Sequence, residues 1–181
     1  MSIEDRPHRF LAFSTEVTAF ATFELWATGQ VEAYLTAVND AIGDAILNEL
    51  LSTYEKICLE TGGQPPSERK ARLRREIFGS EKLGPVARNI IKLWYVGTWY
   101  GLPAAWCEAF GAKPKDVSFV ISPAAYAEGL MWKAIGAHPA GAKAPGYGSW
   151  ASPPRIPAFA GEPAIAQVKE VQINHNEGLA R

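Results

Sequence analysis

Cysteine, histidine and an excess of charge are what this chain has least of. Its 181 residues include two cysteines, Cys58 and Cys107, three histidines, His8, His138 and His175, and a formal net charge of −1. So even a balance excludes the single-sign field that recruits nucleic acid or anionic lipid. No apolar run reaches about 18 residues, so no membrane-spanning helix is expected. No two histidines stand at i and i+4, and neither cysteine belongs to a Cys-x-x-Cys, so zinc finds none of its usual spacings. His175 and Glu177 form a lone His-x-Glu without the Pro-Cys-x-x-Cys that a zinc deaminase also needs. There is no Gly-x-Ser-x-Gly elbow and no Gly-x-Gly-x-x-Gly opening a helix. Gly141 and Gly146 have P-loop spacing, but Tyr147 occupies the place of the phosphate-binding lysine. Met1 to Arg9 holds no apolar core, so no export signal is expected there. Two cysteines permit one disulfide between Cys58 and Cys107, or two buried thiols.

What is present is apolar and largely helical in period. Hydrophobic residues make up 48% of the chain, enough for a core without metal or disulfide at this length. Phe10, Phe13, Val17 and Phe20 predict a first helix over 7–24. Thr28 is placed to cap the next. Val31, Tyr34, Leu35, Val38, Ile42, Ile46, Leu50, Tyr54 and Ile57 predict one long amphipathic helix over 30–60, stopped by Gly62-Gly63. A charged helix follows from Ser67 to Phe78, then one from Pro85 to Tyr95, and a short piece over 106–110. Val117, Phe119 and Ile121 alternate with polar neighbours, as in a brief strand. Ser122-Pro123 opens a further helix, with a capping hydroxyl followed by proline at the first turn, and Gly136 ends it. The fold class expected is all-α: a small irregular bundle over 1–136, with at most one short strand pair. Residues 137–163 are dense in proline and glycine but carry Tyr147, Trp150 and Phe159. That mixture predicts an extended arm lying on a surface, since a plain linker is poor in aromatics. Ile165, Val168, Val171 and Ile173 show no period over the whole 164–181 tail, which stays unassigned.

Two clusters draw attention. Glu68 to Glu76 holds five basic residues, but they wrap round the helix among glutamates. A solvated face with a Glu68–Arg72 pair is expected there, and no nucleic-acid partner. Trp94, Tyr95, Trp99, Tyr100 and Trp106 crowd into thirteen positions, followed by Trp132, Tyr147 and Trp150. Trp94 is expected in the core. Large rings on irregular backbone are the usual anchors of protein interfaces. Trp99, Tyr100, Tyr126, Trp132, His138, Pro139, Lys143, Tyr147 and Trp150 are therefore the partner-interface candidates. No residue is assigned as catalytic, cofactor-binding or metal-ligating.

Three stretches carry a resemblance. They are Phe10-Leu-Ala-Phe-Ser-Thr-Glu-Val-Thr-Ala-Phe20, Ile91-Lys-Leu-Trp-Tyr-Val-Gly-Thr-Trp-Tyr-Gly-Leu-Pro103, and Val120-Ile-Ser-Pro-Ala-Ala-Tyr-Ala-Glu-Gly-Leu-Met-Trp132. The last continues through Gly136-Ala-His-Pro-Ala-Gly-Ala-Lys-Ala-Pro-Gly-Tyr-Gly-Ser-Trp150 to Pro154. Together they resemble the small subunit of membrane-bound FAD-dependent sorbitol dehydrogenases and its fructose and glucose dehydrogenase relatives. The resemblance implies a chain that carries no cofactor and binds a large flavoprotein of the glucose-methanol-choline type. That partner would hold FAD and an iron–sulfur cluster, and would pass electrons to a multi-haem cytochrome c subunit and on to quinone. The small subunit would aid its folding, stability and export, in a periplasmic complex attached to the inner membrane. Such subunits usually carry a twin-arginine leader, which Met1 to Arg9 does not contain, and the segment after Pro154 is longer than the family pattern. Two other readings follow from the residues alone. One is a stand-alone binding or regulatory module. The other is a self-contained enzyme using Tyr126, Glu128 and His138.

Overall fold

The apolar periods become helices, and glycine or a left-handed residue decides where each one stops. The computed structural model describes residues 6–111, 113–139 and 142. Most of the proposed arm, and the whole of the tail, lie outside the described residues. In chain order the elements are α1 (Arg6–Thr18), α2 (Thr22–Ala27), α3 (Val31–Ile42), α4 (Asp44–Glu60) and α5 (Pro66–Arg72). A π-helical turn (Leu73–Phe78) prolongs α5. Then come α6 (Leu83–Val96), β1 (Thr98–Trp99), α7 (Ala104–Phe110), β2 (Phe119–Val120), α8 (Pro123–Ala127) and α9 (Leu130–Ala134). The chain is mostly helical with one short two-stranded antiparallel sheet, as the sequence predicts.

Three expected helices are each two. The 7–24 helix breaks after Thr18, where Ala19 takes φ +62° and Glu24 accepts the Ala21 backbone N–H at 2.9 Å to start α2. The 30–60 helix breaks at Gly43, with φ 83° and ψ 160°; that backbone is open to glycine and strained for an L residue. The hydrophobic stripe keeps its phase across the break, which is why it reads as one helix. The helix from Ser122 to Gly136 divides at Gly129 into α8 and α9. Its start is as expected, since Ser122 Oγ accepts the Ala125 N–H at 2.9 Å. Thr28 does not cap α3, whose N-cap is Gln30; it is the C-cap of α2, and its hydroxyl donates to the Leu25 carbonyl and accepts from the Gln30 N–H in the turn before α3.

The helices α1, α3, α4 and α6 all touch one another, and Trp94 lies among them, 1% exposed. Its indole N–H donates to Ser14 Oγ at 2.9 Å, and its ring meets Phe10 and, edge-on at 4.8 Å, Tyr34. A buried donor left unpaired costs about 1–3 kcal/mol, so Ser14 is what allows tryptophan here. Phe13, Leu25, Leu47, Leu50, Leu51, Ile57 and Ile90 complete this core at 0% exposure. Each such side chain contributes roughly 1.5–3 kcal/mol on burial. Arg9 is 7% exposed and forks onto the Glu55 carboxylate with a further bond to Ser52.

Candidate protein-binding surface

Local capping and one close approach set the surface on which Tyr126 and Trp132 lie. Helix α6 ends at Gly97, whose φ of +66° is left-handed. A Cβ there would lie 2.6 Å from the Ala125 carbonyl, so the bare glycine lets α8 dock on the end of α6. Tyr34 Oη reaches the same carbonyl at 3.4 Å. Burial, with a smaller contribution from the nearby Glu128 charge, pushes the Tyr34 hydroxyl well above its usual range. From α8 the chain folds back as α9, which packs on α6 and joins α2 through the Lys133–Glu24 ion pair.

This arrangement collects exposed rings. Tyr126 is 49% exposed and meets Trp132 edge-on at 5.4 Å, while the Trp132 N–H donates back to the Tyr126 carbonyl. Phe23, 73% exposed, lines a cleft of about 300 Å³ together with Glu24, Glu128, Leu130 and Lys133. Trp26, one helical turn on, is 53% exposed and stacks on His8 at 6.0 Å. Ile135 ends α9, 47% exposed. Exposed rings on short helices joined by an ion pair can grip a protein surface, because rings bring area while few torsions freeze.

The other candidates fall elsewhere. Trp99 is a core residue at 0% exposure, which removes it from the surface set. Pairing of β1 with β2 draws it inward, and its indole N–H donates to Asp116 at 2.9 Å. Tyr100, the residue after β1, is exposed under the Lys92 ammonium. His138 is half-buried with Nδ1 3.4 Å from the Pro139 carbonyl, and Pro139 is buried. Lys143, Tyr147 and Trp150 lie outside the described residues. Of the alternative trio, Glu128 borders the cleft and Tyr126 rims the ring surface.

Cys58 and Cys107 are both free thiols, so the disulfide considered from the sequence is not made. Each has a local partner instead: Cys58 lies beside Tyr54, whose hydroxyl is raised chiefly by burial and then by that thiol. Cys107 lies 3.5 Å from Asp116, and burial, then the Asp116 carboxylate, push its thiol up. The basic cluster makes ion pairs, but not the one expected: Arg72 binds Glu60 and Glu76, both at 2.6 Å, rather than Glu68. Arg69 reaches Glu16 at 3.5 Å.

Phe23, Trp26 and Ile135 belong to this surface without being among the expected residues. Phe23 and Trp26 follow the break at Ala19, which neither glycine nor proline marks. Glu24, placed to accept a backbone N–H at a helix start, was the available signal. Among the described residues no group of three His, Cys, Asp or Glu side chains converges as a metal site. No described helix is long and apolar enough to cross a membrane. No family model matches the chain, and neither curated proteins nor solved structures yield a match.

Proposed function

We propose that this chain is a non-catalytic small subunit that binds, stabilises and helps mature an FAD-dependent alcohol, polyol or sugar dehydrogenase subunit of the glucose-methanol-choline type. The observation that carries the reading is the ring surface of α2, α8 and α9 around the Glu24–Lys133 bridge. Phe23, Trp26, Tyr126 and Ile135 each stand between 47% and 73% exposed there. Apolar rings left in water on one side of a well-packed body are what a partner covers. The same chain segment, Val120 to Trp132, carries the strongest part of the resemblance to sorbitol dehydrogenase small subunits. In this reading the flavin, iron–sulfur and haem chemistry belongs to the partner subunits, and the complex works in the periplasm.

Co-expression with a glucose-methanol-choline flavoprotein, followed by affinity capture of the tagged small chain, tests this. The wild type is expected to retain yellow flavoprotein. Phe23→Ala/Tyr126→Ala is expected to lower retention by about 30-fold or more, the scale of two interface anchors, with an unchanged circular dichroism spectrum. Trp150→Ala and Tyr147→Ala extend the same assay to the arm. Turnover of a polyol by the small chain alone, or capture that ignores the ring variants, rejects the reading.

A further inference from the structure

We propose that the outer edge of β2 is a self-association surface, on which two copies of this chain pair β2 to β2 about a two-fold axis through Val120. The two edges of the sheet are finished differently. Thr98 faces Val120 and Trp99 faces Phe119 across the ladder, and the Ile121 N–H donates to the Gly97 carbonyl at 3.0 Å. In an antiparallel pair the residue between two such bonded positions turns its N–H and C=O outward. That residue is Val120 on β2. On the β1 side the outer edge is closed by a side chain: Asn89, 5% exposed, accepts the Tyr100 N–H and donates to the Tyr100 carbonyl. On the β2 side no described residue bonds the outward groups of Val120.

Beside that open edge lies a groove of about 470 Å³, lined by Ala33, Thr36 and Ala37 of α3 and by Val117, Phe119 and Ile121. Val117 and Val120 are 57% and 56% exposed. An unpaired edge next to an apolar trough is the geometry that accepts an added strand.

Symmetry and charge point to a second copy as the occupant. Adding β2 of one copy to β1 of the next would run on as a fibre, and Asn89 obstructs that by holding the Tyr100 backbone. Pairing β2 with β2 uses both open edges and closes at two chains. A two-fold axis sets every nearby charge against its own copy, and like charges opposed across a ladder destabilise it. An edge that pairs with itself must therefore be neutral, and Val117 to Ala127 holds no charged side chain. Lysine, a common guard of exposed edges, is absent from that stretch; Lys115, just before it, is paired with Asp40 at 2.6 Å. With Val120 on the axis, the two Val120 residues exchange N–H and C=O bonds. Phe119 of each copy then faces Ile121 of the other on the groove side, an aromatic ring against a β-branched chain. Pro123 has no N–H for a ladder and ends the pairing after about five residues. A contact that short lies at or below about 1,200 Å², so the dimer is reversible. The inference does not rest on the flavoprotein reading, whose surface is the α2–α9 face.

Sedimentation velocity of the full chain, from about 10 μM to about 1 mM, tests it. The weight-average mass is expected to rise with concentration from one chain toward two, and no further. Val120→Lys and Val120→Glu, each alone, set like charges against each other on the axis. Each is expected to weaken association at least about 10-fold with an unchanged circular dichroism spectrum. Val120→Pro, which deletes the outward N–H and adds no charge, is expected to weaken it too. Mixing the lysine and glutamate variants in equal amounts is expected to restore association, because a two-fold on Val120 brings that position against itself. A wild type that stays one chain throughout, or Val120 variants that associate as the wild type does, overturns the proposal. So does a mixture that fails to recover, or a mass that climbs past two chains. Association lost in Phe23→Ala/Tyr126→Ala but kept in the Val120 variants assigns the contact to the rings and overturns it as well.

Discussion

The α4–α5–α6 side of the molecule and the α2–α8–α9 side are both helical and are finished in opposite ways. The first is dressed in ion pairs: Arg9–Glu55, Lys56–Glu60, Arg69–Glu16, Arg72 with Glu60 and Glu76, and Lys82–Glu49. Its exposed large apolar residue is Leu59. The second has the Lys133–Glu24 pair and, around it, Phe23, Trp26, Tyr126 and Ile135 in water. Surface ion pairs add little to stability, about 0–1 kcal/mol each, but they keep a face soluble and unattractive to other proteins. Exposed rings do the reverse. One side carries its charges in pairs, and the other leaves apolar side chains in water, which on the proposed reading a partner covers.

The sharpest way to break that contrast is to truncate one tryptophan on each side of the boundary. Trp94→Ala empties the core between Phe10 and Tyr34 and strands Ser14, at an expected cost of about 3–5 kcal/mol in urea unfolding. Trp26→Ala removes a ring that is 53% exposed and stacked on His8, and is expected to change stability by no more than about 0.5 kcal/mol. A large loss from Trp26→Ala would make it a structural residue and erase the contrast.

A smaller effect is expected at the seam between the two halves. Asp116 accepts from the Trp99 indole at 2.9 Å and the Leu102 N–H at 3.1 Å, and lies 3.5 Å from Cys107 Sγ. Asp116→Ala leaves the buried indole donor unpaired, so a loss of about 2–3 kcal/mol is expected. Asp116→Asn removes the charge while keeping the shape. The Cys107 thiol, held up by burial and by that carboxylate, should then ionise at lower pH. Alkylation by iodoacetamide, followed against pH by peptide mass spectrometry, should shift its midpoint downward. An unmoved midpoint would leave burial and the Glu108 charge as the causes.

Much of the body was legible because its signals are local and periodic. The stripe from Val31 to Ile57 is the inner face of α3 and α4, and Ser122-Pro123 does start a helix. What the stripe could not reveal is Gly43: a break that preserves the phase of the apolar face is invisible to periodicity. The strand at 117–121 was legible, but its partner was not. Thr98-Trp99 follows an αL glycine that turns α6 back on itself, and the pairing is fixed by Trp99 reaching Asp116, a contact between distant residues. For the same reason Trp99 read as an interface ring and lies in the core. Of the rings expected at the surface on the helix after Ser122, Tyr126 is exposed and Trp132 is half-buried against it. Phe23 and Trp26 were hidden because the left-handed residue that sets α2 apart is an alanine.

The mildest perturbation tests the joint on which the ring surface is assembled. Glu24 accepts the Ala21 N–H and pairs with Lys133, and these, the lysine first, hold its carboxyl below the usual carboxylate range. A depressed folded-state pKa stabilises the fold above the unfolded carboxylate value, and that contribution is lost as pH falls through the folded one. Glu24→Gln should therefore cost up to about 1 kcal/mol at pH 7. The gap from wild type should close on acidification below about pH 4. Salt separates the two partners. Half-molar sodium chloride screens the exposed Lys133 pair but not the short bond to the Ala21 N–H, so it should shrink the gap without abolishing it. A gap independent of both pH and salt would mean that Glu24 acts through packing alone, and that α2 and α9 are held together by their apolar contacts.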